Sequence, residues 1–119
     1  MGTFEKDNID IDQLGGIVGT EIHDKEFAKN CIEMIRVHEA KSSDYDNAFN
    51  DARKICGNGY AVGLLYNKVR RLISLLLRKN GSQLVKDESV NDTLLDNANY
   101  SIMLKVELEK ERKEHGESK

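Results

Sequence analysis

Two bases and a set of polar side chains at helical spacing are the residues of this chain best placed to do chemistry. At 100° per residue, Lys68 and Arg71 share one flank of a helix with Leu64 and Leu75, at the edge of its apolar face. Bases held there are costly unless something negative meets them, either carboxylates of a neighbouring helix or phosphates of a ligand. On a later helix Asp92, Asp96 and Asn99 fall within about 60° of one another, beside an apolar stripe. Such a polar wedge could hold a divalent metal, pair with Lys68 and Arg71, or receive the hydroxyls of a ribose. Tyr45, Phe49, Tyr66 and Tyr100 supply four of the seven aromatic residues near these groups. A ring beside a base and an acid suits a nucleobase with its phosphate, although such a ring is more often plain apolar core. His38 belongs to an apolar helical face, while His23 and His115 fall in a loop and a tail. No His–Cys or His–Ser spacing suggests a nucleophile or a zinc site. Asn8, Asp10 and Asp12 have the beginning of a calcium-loop spacing, but Gln13 and Gly19 stand where such a loop needs Gly and Glu.

The elements that must position these groups read as helices. The chain has 119 residues, enough for one domain, with one third of them charged, no proline and no tryptophan. That composition favours uninterrupted amphipathic helices, and the expected fold class is all-α: a small bundle of about four helices. A first helix is expected from Asp24, a capping residue, to Ala40, with Phe27, Cys31, Met34, Ile35 and His38 on its apolar face. A second spans about Asp44 to Ile55, with Tyr45, Ala48, Phe49 and Ala52 on one face and Gly57 and Gly59 after its end. The third, about Tyr60 to Lys79, carries the stripe Val62, Leu65, Val69, Leu72, Ile73 and Leu76 and stops at Asn80 and Gly81. The fourth opens with Ser89 as cap and Asp92 three residues on, then continues through Leu94, Leu95, Ala98, Ile102 and Val106. Residues 1–23 lack a helical period and read as a loose arm or short strand. Residues 24–113 make the helical domain, and 114–119 a charged, frayed tail within a solvated extension beginning near Glu107. A bundle this small buries limited core, so pairing with another copy is expected.

Charge is unevenly distributed behind a net value of -3. Residues 1–52 hold twelve acids and five bases, a net of -7, and residues 80–119 hold nine acids and six bases, a net of -3. Between them, residues 53–79 hold Arg53, Lys54, Lys68, Arg70, Arg71, Arg78 and Lys79 with no acid, a net of +7. Such a window either pairs with the acidic helices around it or receives an anionic ligand. The total charge does not suggest a protein that coats nucleic acid or an anionic membrane. No apolar stretch approaches the roughly 20 residues of a membrane span, and the acidic first twenty residues are unlike a signal peptide. Cys31 and Cys56 have no metal-type spacing and read as reduced thiols, so a cytoplasmic location is expected.

Three ordered blocks then carry a resemblance: Ser43-Asp44-Tyr45-Asp46-Asn47-Ala48-Phe49, Asn67-Lys68-Val69-Arg70-Arg71-Leu72, and the run from Asp87-Glu88-Ser89 through Asp92-Thr93-Leu94-Leu95-Asp96 to Asn99-Tyr100. Over about 70 residues, Lys41 to Glu109, the chain resembles the phage and prophage family called nucleotide modification associated domain, type 1. The resemblance implies an all-helical protein of an infected bacterial cell, associated with nucleotide metabolism. More distantly the arrangement looks like the all-α nucleotide pyrophosphohydrolases of the MazG and dimeric dUTPase kind. Those place acidic pairs on two successive helices, because a magnesium cluster facing a triphosphate needs several carboxylates. Here Asp92 and Asp96 make half of such a site, and the preceding helix offers Lys68 and Arg71 where acids would stand. Asp44 and Asp46 are the other carboxylates that could contribute.

The function expected from these residues is binding of a nucleotide or nucleotide-derived signal without cleavage. Lys68, Arg71 and Arg53 would meet phosphate, Asp92, Asp96 and Asn99 sugar or base, and Tyr45, Phe49 and Tyr100 would stack, with Asp44 beside them. In a phage such a protein would serve as a sponge for a host immune signal, an expectation that rests on the resemblance alone. No cofactor is expected for that role; the partners are a nucleotide-type small molecule and a second copy, with no membrane and no direct nucleic acid. One alternative is a metal-dependent nucleotide pyrophosphohydrolase, or an accessory enzyme of nucleotide modification, with Asp92 and Asp96 as magnesium ligands. Another is an interaction module whose basic third helix docks on an acidic protein.

Overall fold

A computed structural model of the chain describes residues 11, 13–45, 48–78 and 87–116. Among them the fold is all-α. Helix α1 spans Lys25–Tyr45, α2 Ala48–Cys56, α3 Asn58–Leu72 and α4 Asp87–Glu114, and α3 runs on into a π-helical turn, Ile73–Leu77. Residues 13–18, inside the expected arm, are helical, and no strand occurs among the described residues. The chain divides into two compact units, Met1–Lys41 and Ser42–Lys119.

In the first unit the Asp24 carboxylate accepts the Phe27 backbone N–H at 3.1 Å, the N-cap expected from its residue type. Ile11, Ala28 and Ile32 form the buried cluster, with Leu14 and Ile22 packed against it. The apolar face expected on this helix is therefore displaced. Phe27 and Ile35 are exposed, because the short helix 13–18 lies on the Ala28–Ile32 side, one position round.

In the second unit α3 packs on both α2 and α4. Lys68 pairs with Asp96 and Arg71 with Thr93, so a step forward along α3 meets a step back along α4 and the two helices are antiparallel. Helix α2 closes one side of this pair through Phe49, whose ring lies 6.0 Å from both Tyr60 and Tyr100. The break between α2 and α3 needs a glycine, since Gly57 has φ +85° while its N–H still donates to the Arg53 carbonyl at 2.7 Å.

Three further sequence expectations change. Ser89 lies within α4, which begins at Asp87, so it is not the cap; its carbonyl instead accepts the Thr93 hydroxyl at 2.8 Å. Of the expected α3 stripe, Leu65, Leu72 and Ile73 are half-buried, whereas Val62, Val69 and Leu76 are exposed. Asn80 and Gly81 lie outside the described residues. At the far end α4 continues to Glu114, with Glu107, Leu108, Glu109 and Glu111 half-buried where a solvated extension was expected. Of the tail, residues 117–119 lie outside the described residues.

A Cβ at position 57 would meet no neighbour, so Gly57→Ala is penalised only by its backbone, whose φ of +85° and ψ of -178° fall in a region essentially restricted to glycine. The expected loss is about 1–3 kcal/mol, read as a lower urea midpoint at unchanged slope; an unchanged midpoint would contradict the assigned turn.

Candidate functional site

The polar wedge forms where α3 crosses the first half of α4. Lys68 Nζ lies 3.0 Å from Asp96 Oδ2, with both side chains little more than one fifth exposed. The same ammonium sits 6.0 Å from the centre of the Tyr100 ring, and Phe49 stacks on the other partner of that contact with its plane only 16° from that of Tyr100. One turn further on, Arg71 Nε donates to Thr93 Oγ1 at 3.1 Å, which in turn donates to the Ser89 carbonyl. Thr93 is 2% exposed, so its hydroxyl is a fixed anchor for the Arg71 guanidinium. Arg71 itself is exposed, and its Nη1 and Nη2 make no hydrogen bond to the described residues. Phe49, Tyr100, Lys68, Asp96, Arg71 and Thr93 thus form one continuous arrangement: aromatic, cation, carboxylate and guanidinium along the seam between two helices.

Local sequence explains the placement. On α3, Ala61, Leu65, Lys68 and Leu72 recur at spacings of three and four, and on α4 so do Thr93, Asp96, Tyr100 and Leu104. Each inner row carries one charge in an otherwise apolar or neutral series. The antiparallel crossing sets those two charges opposite each other.

Arg53 belongs to a different cluster. It is 5% exposed; Nη1 donates to Asn58 Oδ1 at 2.6 Å and Nη2 to Asn50 Oδ1 at 3.2 Å and to the Glu111 carboxylate. Its Nε is buried with no hydrogen-bond partner among the described residues. Glu111 lies fifteen residues beyond Asp96 on α4, roughly 22 Å at 1.5 Å per residue. The structure therefore brings together four of the expected site residues, Phe49, Lys68, Asp96 and Tyr100, with Arg71 one turn away, and leaves Arg53 at the opposite end of the helix pair. Asp92 is exposed and Asn99 half-buried, and neither has a described contact within the wedge. Asp44 and Tyr45 belong to α1, and their side chains lie outside the described residues, as does Asp46. Among the described residues no three His, Cys, Asp or Glu side chains form a group able to hold a metal.

The sequence reading missed Thr93, Glu111 and the two asparagines at Arg53. Thr93 lies on the same row as Asp96 and Tyr100, so continuing that row backward would have found it. Glu111 was assigned to a solvated extension, although the spacing Leu104, Glu107, Glu111 continues the inner face. Nearby, a hydrogen bond from Lys105 at 2.6 Å holds the Glu109 carboxyl below its usual range, helped by the Lys105 charge and more weakly by Arg112 and Lys113.

A family model described as nucleotide modification associated domain 1 matches residues 41–108. The chain belongs to this family. The match spans α2, α3 and most of α4, and thus the whole wedge, and it agrees with the family to which the sequence bears its resemblance. A search of the curated proteins and a search of the solved structures returned no match. No described helix of this nucleotide modification associated domain is long and apolar enough to cross a membrane.

Two outcomes follow from the Arg53 and Lys105 geometry. Glu111→Gln leaves a buried guanidinium without its counter-charge and should cost on the order of 2–3 kcal/mol in urea denaturation; a loss below about 0.5 kcal/mol would remove the clamp from the fold. A carboxyl whose folded pKa is depressed adds stability above its unfolded pKa and loses it as pH falls through the folded one. Carbon-detected NMR titration should therefore place Glu109 below a Lys105→Met control, and coincident curves would contradict the pairing.

Proposed function

We propose that this chain binds a nucleotide-type small molecule at the α3–α4 wedge and holds it without cleaving it. The observation that carries the proposal is the Lys68–Asp96 pair. A helix pair that exposes Val69, Leu94 and Ile102 yet sets a lysine and an aspartate into its own contact face forgoes an apolar contact that would be at least as stable. In this reading the pair serves a ligand as well as the helix register. Lys68 and Arg71 suit phosphate oxygens, Arg71 with two terminal nitrogens in a planar fork. Asp96 suits a sugar hydroxyl, and the Tyr100 ring, backed by Phe49, suits a base. Membership of a nucleotide-associated family supports the same ligand class.

The role beyond binding would be sequestration: a ligand removed from solution and kept intact. Incubating the protein with linear and cyclic nucleotides plus magnesium, then analysing free solution and heat-denatured protein by mass spectrometry, tests this. One nucleotide should be depleted from solution and recovered intact after denaturation. Recovery as diphosphate or monophosphate would overturn the proposal in favour of hydrolysis, and no depletion across the panel would overturn it in favour of a protein partner. Arg71→Ala should weaken binding about 10- to 100-fold, the loss of one charge-assisted phosphate contact. It should leave the urea midpoint nearly unchanged, because Thr93 keeps its bond to Ser89. Unchanged affinity would remove Arg71 from the site.

A further inference from the structure

The two cations of the wedge are held by unlike partners. Lys68 meets a carboxylate, that of Asp96, whereas Arg71 meets a neutral hydroxyl, that of Thr93. A carboxylate offsets the charge it holds, while a hydroxyl fixes a guanidinium and leaves its charge whole. The Thr93 hydroxyl has one proton, and that proton goes to the Ser89 carbonyl at 2.8 Å. Its lone pairs are thereby left to Arg71, whose Nε donates to them at 3.1 Å. Nor can the hydroxyl readily swing away, because Thr93 is 2% exposed and β-branched within a helix. A guanidinium is planar, so a bond fixed at Nε turns the Nη1 and Nη2 end of the fork away from Thr93. Arg71 itself is exposed, and an exposed arginine without an anchor must give up rotamer freedom when it meets an anion. Anchored through Nε, it has given up part of that freedom beforehand.

We propose that Thr93 is a positioning residue: without touching the ligand, it orients Arg71 so that Nη1 and Nη2 take two oxygens of one phosphate group end-on. The inference rests on the binding reading above and adds to it a buried residue that acts only through another. Lys68 is the weaker partner for that phosphate, since its ammonium already meets Asp96 and the carboxylate repels an anion beside it. Arg71 therefore carries the larger share of the phosphate affinity, and the Thr93 hydroxyl sets how much of it is realised. The chain of contacts runs from the Ser89 carbonyl on α4 through the Thr93 hydroxyl to the fork at the end of α3.

Titrating the ¹⁵N-labelled full chain with inorganic pyrophosphate, while amide and arginine side-chain signals are followed, tests this. The Arg71 Nε–H signal, identified by its loss in Arg71→Ala, should move as pyrophosphate is added. Thr93→Val removes the hydroxyl and keeps the branching; it should weaken pyrophosphate binding about 5- to 10-fold, and Thr93→Ser, which keeps the hydroxyl, should retain native affinity. In an Arg71→Ala background Thr93→Val should have no further effect, as expected of a residue that acts through Arg71. Native affinity in Thr93→Val, or equal weakening in both backgrounds, overturns the inference; if Arg71→Ala alone loses affinity, the binding reading stands without it. A native chain that takes up no pyrophosphate at millimolar concentration also overturns it, whereas depletion of a nucleotide in the mass-spectrometric assay is a separate result. If Thr93→Val fails to fold, the native chain decides: the Arg71 Nε–H should exchange with water more slowly than that of exposed Arg112, and equal rates overturn the anchoring.

Discussion

The second unit depends on one constraint, the register in which α4 runs back along α3. Two polar contacts share that register. From Lys68 to Arg71 is three residues forward, and from Asp96 to Thr93 three residues back. Helix α2 runs the other way, since Phe49 meets Tyr100 and Arg53, further along α2, meets Glu111, further along α4. Apolar contacts are non-directional and tolerate sliding, whereas the two α3–α4 pairs do not: a shift of one residue would break both. Polar residues set into an otherwise apolar helix seam specify alignment in this way, at some expense of stability.

The same constraint produces the inversion that gives the chain its candidate function. With Lys68, Asp96 and Thr93 turned inward, Val62, Val69 and Leu94 are turned outward. Polar groups line the α3–α4 seam beside the Phe49–Tyr100 stack, and apolar side chains are exposed on the flank. One arrangement of two helices therefore presents two different surfaces, a polar one within the unit and an apolar one outside it.

Much of this was legible in the sequence. Helix number and the Asp24 cap followed from residue type and periodicity, while pairing of Asp96 with Lys68 was one of three readings the spacing left open. The wrong faces followed from the same rule. A stripe of Val62, Val69 and Leu76 predicts a buried face, but α3 carries apolar residues on two faces, and periodicity cannot say which neighbour takes which. On α1 the spacing of three and four picks out Phe27 and Ile35, and only the packing of Ile11 and Leu14 selects Ala28 and Ile32 instead. Arg53 read as a phosphate ligand because its partner Glu111 is 58 residues away in sequence. No local spacing reveals such a pairing.

The claim on which the functional account turns is that ligand meets protein at the α3–α4 wedge. A titration of the ¹⁵N-labelled chain with the nucleotide it retains, followed by backbone amide shifts, tests it directly. The largest shifts are predicted within residues 64–72 and 92–100, with the amides around Arg53 and Glu111 little changed. Shifts concentrated at the Arg53 end, or confined to α1, would contradict the wedge as the binding site.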